Sequence, residues 1–214
     1  LLQASRDAGV KRLVFTSSAS VYGETDVFPS SEKQLPAPES PYAASKIMGE
    51  YYCRNFSALY GLETVALRYF NVYGPRQNPK SRYACVIPIF LKCFLDKVPL
   101  QVHWDGKQSR DFVHVDDVVA ANLLAMKKSG ISGEAFNIGS HSEVSVLDCL
   151  RWIQKVLGVK KVKLQHTPKR AGDVRRTFAD IGKARRLLGF RPKVRFEEGL
   201  RSTVHWFLKH ADRL

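Results

Sequence analysis

Short apolar runs separated by long amphipathic stretches constrain this chain more than any other feature. Arg12–Thr16, Thr64–Arg68 and Ala135–Ile138 read as buried strands. Between them, Pro41 to Tyr60 and Val115 to Lys128 carry helical periodicity. Parallel strands need a long crossover, and a helix supplies it, so the pattern predicts parallel βαβ units in a layered α/β fold.

Local signals fix several boundaries. Leu1 to Ala8 reads as helix, stopped at Gly9. Ser40-Pro41 opens the next helix: the serine hydroxyl caps free N–H groups, and proline fits a first turn where its missing N–H has no partner. Gly61 closes that helix. Residues 23–40, with Pro29, Pro36 and Pro38, form a loop. Further on, Cys85–Lys97 and Val146–Leu157 read as helices, and Leu100–His103 and Val162–Gln165 as strands. Two short helices follow, near Ile181–Leu188 and Phe196–His210.

Composition excludes several classes. The hydrophobic fraction of 44% and charged fraction of 25% suit a globular chain, not a disordered or collagenous one. The longest apolar run, 83–91, contains Pro88 and ends at Lys92, far short of the roughly twenty residues a spanning helix needs. No membrane partner is expected. Cys53, Cys85, Cys93 and Cys149 show neither CxxC nor metal-ligand spacing, which predicts reduced core thiols, no metal site and a cytoplasmic location.

Tyr42 and Lys46 stand one turn apart on one helix face. A nearby ammonium favours phenolate, turning a weak base into a usable proton acceptor. Ser18 stands upstream where a strand passes into a loop, the position at which open parallel sheets bind ligands. A hydroxyl there can hold the oxygen whose proton the tyrosine takes.

A strand-end serine followed by a capped helix with Tyr-x-x-x-Lys in its first turns resembles the extended short-chain dehydrogenase/reductase family. The resemblance continues through Leu67-Arg-Tyr-Phe-Asn-Val-Tyr-Gly-Pro75, Arg110-Asp-Phe-Val-His-Val-Asp-Asp117, Phe136-Asn-Ile-Gly139 and Arg170-Ala-Gly-Asp173. It implies a partial Rossmann-like parallel sheet with a smaller α/β substrate-binding domain. Residues 1–73 and 108–138 would form the dinucleotide-binding part, and 74–107 and 139–214 the nucleotide-sugar part. Ser18-Ala-Ser-Val-Tyr-Gly23 lacks the carboxylates that the family's dehydratases and decarboxylases carry there, and is similar to its nucleotide-sugar 4-epimerases.

The implied reaction is NAD-dependent 4-epimerisation of a UDP-hexose, plain or N-acetylated, through a 4-keto intermediate. By resemblance Tyr42 takes the 4-OH proton, Ser18 orients that oxygen, and Lys46 holds the nicotinamide ribose and tunes Tyr42. Phe70 would line the nicotinamide and Asn71 would touch the sugar diphosphate. Arg110 and Arg170 would hold the two phosphates, for which a forked guanidinium is well shaped. Asp173 would bind the nucleotide ribose, and Gln101, Val102 and His103 would pass along the uracil beside Val86. Thr177 would leave room at the sugar's C2 substituent. Trp104 stands where the family usually has glycine. Arg110 has a plainer alternative, an ion pair with Asp111 or Asp116, and Asp173 a plainer one as a loop cap beside Gly172. His114, inside an apolar run, reads as core.

The family's Gly-rich phosphate turn is not found: no two of the fourteen glycines lie two residues apart, so GxGxxG cannot occur. The resemblance therefore implies an N-terminally truncated fragment lacking about the first hundred residues, a usual domain's size. Alone it is expected to bind NAD poorly, and at full length to form a homodimer through the Tyr42 helix. Two rival readings stay open. One is a UDP-glucuronate 4-epimerase or another reductase on the same scaffold. The other is an inactive basic remnant that binds polyanions, because residues 151–214 hold net charge +13 of the chain's +14. Nucleic-acid binding is disfavoured because the aromatics there fall at core spacing.

Overall fold

The computed structural model describes residues 1–81, 85–169 and 172–211. In chain order the elements are α1 (Leu2–Asp7), β1 (Arg12–Ser18), α2 (Pro41–Tyr60), β2 (Glu63–Tyr69), β3 (Asn71–Tyr73), α3 (Val86–Asp96) and β4 (Leu100–His103). They continue as β5 (Ser109–Arg110), β6 (Phe112–His114), α4 (Val115–Lys127), β7 (Glu134–Ile138), β8 (Val144–Ser145), α5 (Val146–Leu157), β9 (Leu164–Thr167) and α6 (Phe196–Lys209). A 3₁₀ turn, Ala19–Tyr22, follows β1, and a π-helical turn, Ala184–Leu188, precedes α6.

The main sheet is parallel in the order β1-β2-β7, with Ser18 opposite Tyr69 and Tyr69 opposite Ile138. All three carboxyl ends therefore open on one edge, and the loops after them build the site. Helix α2 starts as the sequence predicts: Ser40 Oγ accepts from Ala43 N at 3.2 Å, Pro41 occupies the first turn, and Gly61 closes it in the left-handed conformation. It lies unusually close to the sheet. A Cβ at Gly49 would sit 2.3 Å from Phe15 Cζ, so only glycine lets the helix reach β1 there.

Three apolar clusters hold the molecule. Val65, Leu67, Phe136 and Ile138 of the sheet pack with α4 and with Leu188 and Phe190. Helices α3, α5 and α6 close a second core around Leu100 and Val102 of β4. A third joins Val21 and Tyr22 to Ile47, Phe70, Ala179 and Ile181. Burying a large apolar side chain contributes roughly 1.5–3 kcal/mol, which accounts for the predominance of fully enclosed Phe, Leu and Ile in these clusters.

Two sequence expectations shift. The strand expected over Val162–Gln165 is Leu164–Thr167, because its parallel register with β4 pairs Leu100 with Leu164. The helix expected near Ile181–Leu188 is mostly a π-helical turn, ended by Gly189 in the left-handed conformation. The short pairs β3–β6 and β5–β8 have too few residues for any periodicity to announce them. His114 is buried, as its apolar surroundings imply. The four cysteines are free thiols.

Candidate active site

Lys46 anchors the start of α2 to the end of β1. Its ammonium donates to Thr16 O at 2.9 Å, and lies 5.5 Å from the centre of the Tyr42 ring and 5.5 Å from that of Phe15. Tyr42 stands one turn earlier, 42% exposed at the head of the helix. Ser18 ends β1 two residues past Thr16, and its Oγ accepts from both the backbone N (3.2 Å) and Oγ (3.0 Å) of Ser20. Those bonds form the tight 3₁₀ turn that holds the hydroxyl at the rim of the sheet.

Two cavities run away from this corner. One, about 200 Å³, is lined by Ser18, Ser20, Ser40, Phe70 and Thr177. The other, about 320 Å³, is lined by Val86, Gln101, Val102, His103, Gln108 and Phe112. Asn71, Arg110, Gly172 and Asp173 line both, so the chambers meet at these residues. Tyr42 is not among the lining residues; Glu39 and Ser40, just before it, are. Arg170 lies outside the described residues.

The shared wall is tightly bonded. Asn71 N donates to Asp111 O at 2.9 Å, and Thr177 Oγ1 donates to Asn71 Oδ1 at 3.1 Å while accepting from Asp111 N at 3.2 Å. Arg110 is buried, and its guanidinium pairs with the Asp173 carboxylate and donates to Ser109 O at 2.8 Å. Arg110 takes Asp173 as its partner, not Asp111 or Asp116. Asp111 is instead a buried organiser, accepting from Ser140 N (2.6 Å), Ser140 Oγ (2.8 Å), His141 N (3.1 Å) and Ala179 N (3.1 Å). Burial pushes its pKa up, and those four donors oppose the rise.

Behind the corner lies a network that sequence reasoning missed. Glu50, one turn beyond Lys46 on the same face of α2, pairs with Arg68 of β2 through Nε (2.9 Å to Oε1) and Nη2 (2.7 Å to Oε2). Ser17 Oγ donates to the same carboxylate. Arg68 Nη1 donates to Tyr22 Oη at 2.9 Å, and Tyr22 Oη donates to Asn137 Oδ1 at 2.7 Å. Burial, eased by Arg68, pushes the Tyr22 phenol up to about 12, so this tyrosine stays protonated. The signal was present: a strand of apolar residues with one arginine in it demands a buried acid, and Glu50 repeats the Tyr42/Lys46 spacing.

A parallel sheet whose carboxyl edge carries a serine and a Tyr-x-x-x-Lys helix beside a two-chambered cleft defines a class of dinucleotide-dependent enzymes. The profile of the NAD dependent epimerase/dehydratase family matches residues 1–139, and the chain belongs to that family. It is 40% identical over 208 residues to the UDP-glucose 4-epimerase of Mycolicibacterium smegmatis, covering 97% of this chain and 66% of the relative. Its backbone matches that of the UDP-glucose 4-epimerase of Thermotoga maritima, solved with UDP-glucose, with TM-score 0.93 and 42% identity, covering 99% of this chain and 68% of that one. The UDP-glucuronic acid 4-epimerase of Bacillus cereus, solved with UDP-glucuronic acid and NAD, gives TM-score 0.91 at 34% identity over 98% of this chain and 65% of that one. The chain thus spans about two thirds of the length of these relatives.

Proposed function

We propose that the protein interconverts UDP-hexoses epimeric at C4, using NAD, with the sugar in the chamber beside Ser18 and the uridine in the chamber beside Gln101–His103. The observation that supports this reading is the docking of α2 on β1 by Lys46, beside a cleft that Ser18 and Ser40 line at one end and Asn71, Arg110 and Asp173 line in the middle. Ser18-Ala-Ser supports epimerisation over dehydration, because no carboxylate stands there to eliminate water.

The residues at the corner fit the nicotinamide end of NAD. An ammonium held at the carboxyl edge of a parallel sheet offers a donor for ribose hydroxyls, and buried Phe70 offers an apolar wall. When bound, NAD supplies the site that accepts and returns hydride. Tyr42, beside the Lys46 charge, removes the proton from the sugar's 4-OH. Ser18 donates a hydrogen bond to that oxygen and steadies it as it becomes a carbonyl. The flat 4-keto sugar turns over, so that the hydride would return to the other face of C4, and Tyr42 gives its proton back to the C4 oxygen. Arg110 leaves Asp173 for the diphosphate, Asp173 takes a ribose hydroxyl, and Asn71 holds the sugar-side phosphate.

Thr177 is small and lies against Asn71, which leaves both plain and N-acetylated hexoses admissible. Turnover of UDP-glucose, UDP-N-acetylglucosamine and UDP-glucuronate separates the substrates. Conversion of a UDP-hexose, with UDP binding weakened at least tenfold by Arg110→Ala, fits the proposal. UDP binding unaffected by that substitution overturns it.

We keep the division into a dinucleotide part (1–73, 108–138) and a sugar part (74–107, 139–214), with Leu188 and Phe190 of the second packed on the sheet core of the first. The outer face of α2 leaves Met48, Tyr51 and Tyr52 exposed, which supports its use as a homodimer surface. No helix among the described residues is long and apolar enough to cross a membrane. The four free thiols support a cytoplasmic location. Phe190 and Phe207, in the basic last third, are fully buried and offer no stacking platform for bases.

A further inference from the structure

Trp104 follows β4 directly and holds a left-handed backbone, φ 59°, which bulky residues rarely adopt. Glycine would adopt it without strain, so the indole ring is retained against a local conformational preference. Lys169 Nζ and Arg175 Cζ each lie 4.7 Å from the ring centre. The backbone is fixed as well: Trp104 N donates to Thr167 O at 2.8 Å, and Trp104 O is bonded to His166 Nδ1 at 3.0 Å.

Arg175 ties this ring to the cleft. Its guanidinium pairs with Asp105 at 2.8 Å, and its backbone N donates to Glu24 Oε1 at 3.1 Å. Its carbonyl oxygen accepts from Ser109 N at 3.1 Å and from Arg110 Nη1 at 3.4 Å. The side chain on the indole thus belongs to the residue whose backbone helps aim Arg110, and Asp173 stands two residues before it. An exposed cation over an aromatic face is a modest contact, and this ring meets two, from residues on either side of Asp173 in the chain.

We propose that Trp104 is a positioning residue: through Arg175 and Lys169 it clamps the segment that carries Asp173 against the end of β4, and so sets Arg110 for the diphosphate. The consequence for ligand binding rests on the reading of this cleft as a nucleotide-diphosphate site; the clamp itself does not.

Trp104→Gly removes the ring and suits the backbone, so the fold is kept. Hydrogen exchange of the chain should then run about tenfold faster at Val174–Thr177, unchanged in α5, with Trp104→Phe close to wild type. Arg175→Gln, which leaves the indole in place, should give the same local increase. Titration with UDP should give affinity about threefold to tenfold weaker for Trp104→Gly, again rescued by Trp104→Phe. Unchanged exchange at Val174–Thr177 in both Trp104→Gly and Arg175→Gln overturns the clamp. Faster exchange with no UDP binding by any form keeps the clamp and overturns the nucleotide reading.

Discussion

The ammonium of Lys46 reaches across from α2 to the carbonyl oxygen of Thr16, 2.9 Å away, and so welds the helix that carries Tyr42 to the strand that ends in Ser18. One bond therefore does two things: it fixes the angle of the helix and holds a positive charge beside the phenol. Lys46→Met should lower turnover of the UDP-sugar about 10²- to 10⁴-fold, because the helix that carries Tyr42 loses its tie to β1 and the corner loses its charge. Tyr42→Phe should lower turnover by a similar factor while leaving UDP affinity intact. Initial rates, together with UDP titration, check both.

Glu50 and Arg68 are 7% and 5% exposed, which makes theirs the most deeply enclosed ion pair among the described residues. Removing one partner leaves a buried charge with no counter-charge, so Arg68→Leu should destabilise by about 3–5 kcal/mol in urea unfolding. Glu50→Leu combined with Arg68→Met should cost much less than the two single changes added together, because each desolvation penalty disappears with its charge. Additive losses would mean that the pair is not the unit of stability.

Gly49 reports the closeness of α2 to the sheet. Alanine there places a methyl group within 3.0 Å of three Phe15 ring carbons, so the half-buried ring or the helix has to shift to admit it. Gly49→Ala should destabilise by about 1–3 kcal/mol despite alanine's better helix propensity, and Phe15→Leu in the same chain should restore part of the loss. A stabilised Gly49→Ala in thermal unfolding would show that the helix can move off the strand freely.

The architecture was legible where single segments are long enough to carry a period. Helix α2 could be placed from Ser40-Pro41 to Gly61 because cap, proline and glycine each act locally. Likewise Tyr42, Lys46 and Ser18 could be nominated from spacing and strand end. Arg110 could be nominated too, but not its partner, since Asp173 is far away in sequence and Asp111 and Asp116 looked nearer. Short pairs such as β3–β6 are made by register with distant residues, and nothing in Asn71–Tyr73 alone encodes them. The π-helical turn at Ala184–Leu188 reads as ordinary helix because periodicity does not distinguish the two over one turn.

His114 caps α4 with a ring nitrogen: Nδ1 accepts from Asp116 N at 3.3 Å. Burial holds its pKa below the usual histidine range, against the pull of Asp116 and Asp117 towards higher values. The folded ring is therefore neutral where an unfolded one would take a proton, and protonation of Nδ1 also abolishes the cap. A group with a depressed folded pKa stabilises above its unfolded value, near 6.5, and that contribution is lost as pH falls through the folded value. The melting temperature should accordingly drop between pH 7 and pH 5. His114→Asn retains a capping acceptor without a titrating ring, so over that interval its melting temperature should vary less with pH than the wild type's. Parallel curves for the two proteins would assign the acid loss to other groups.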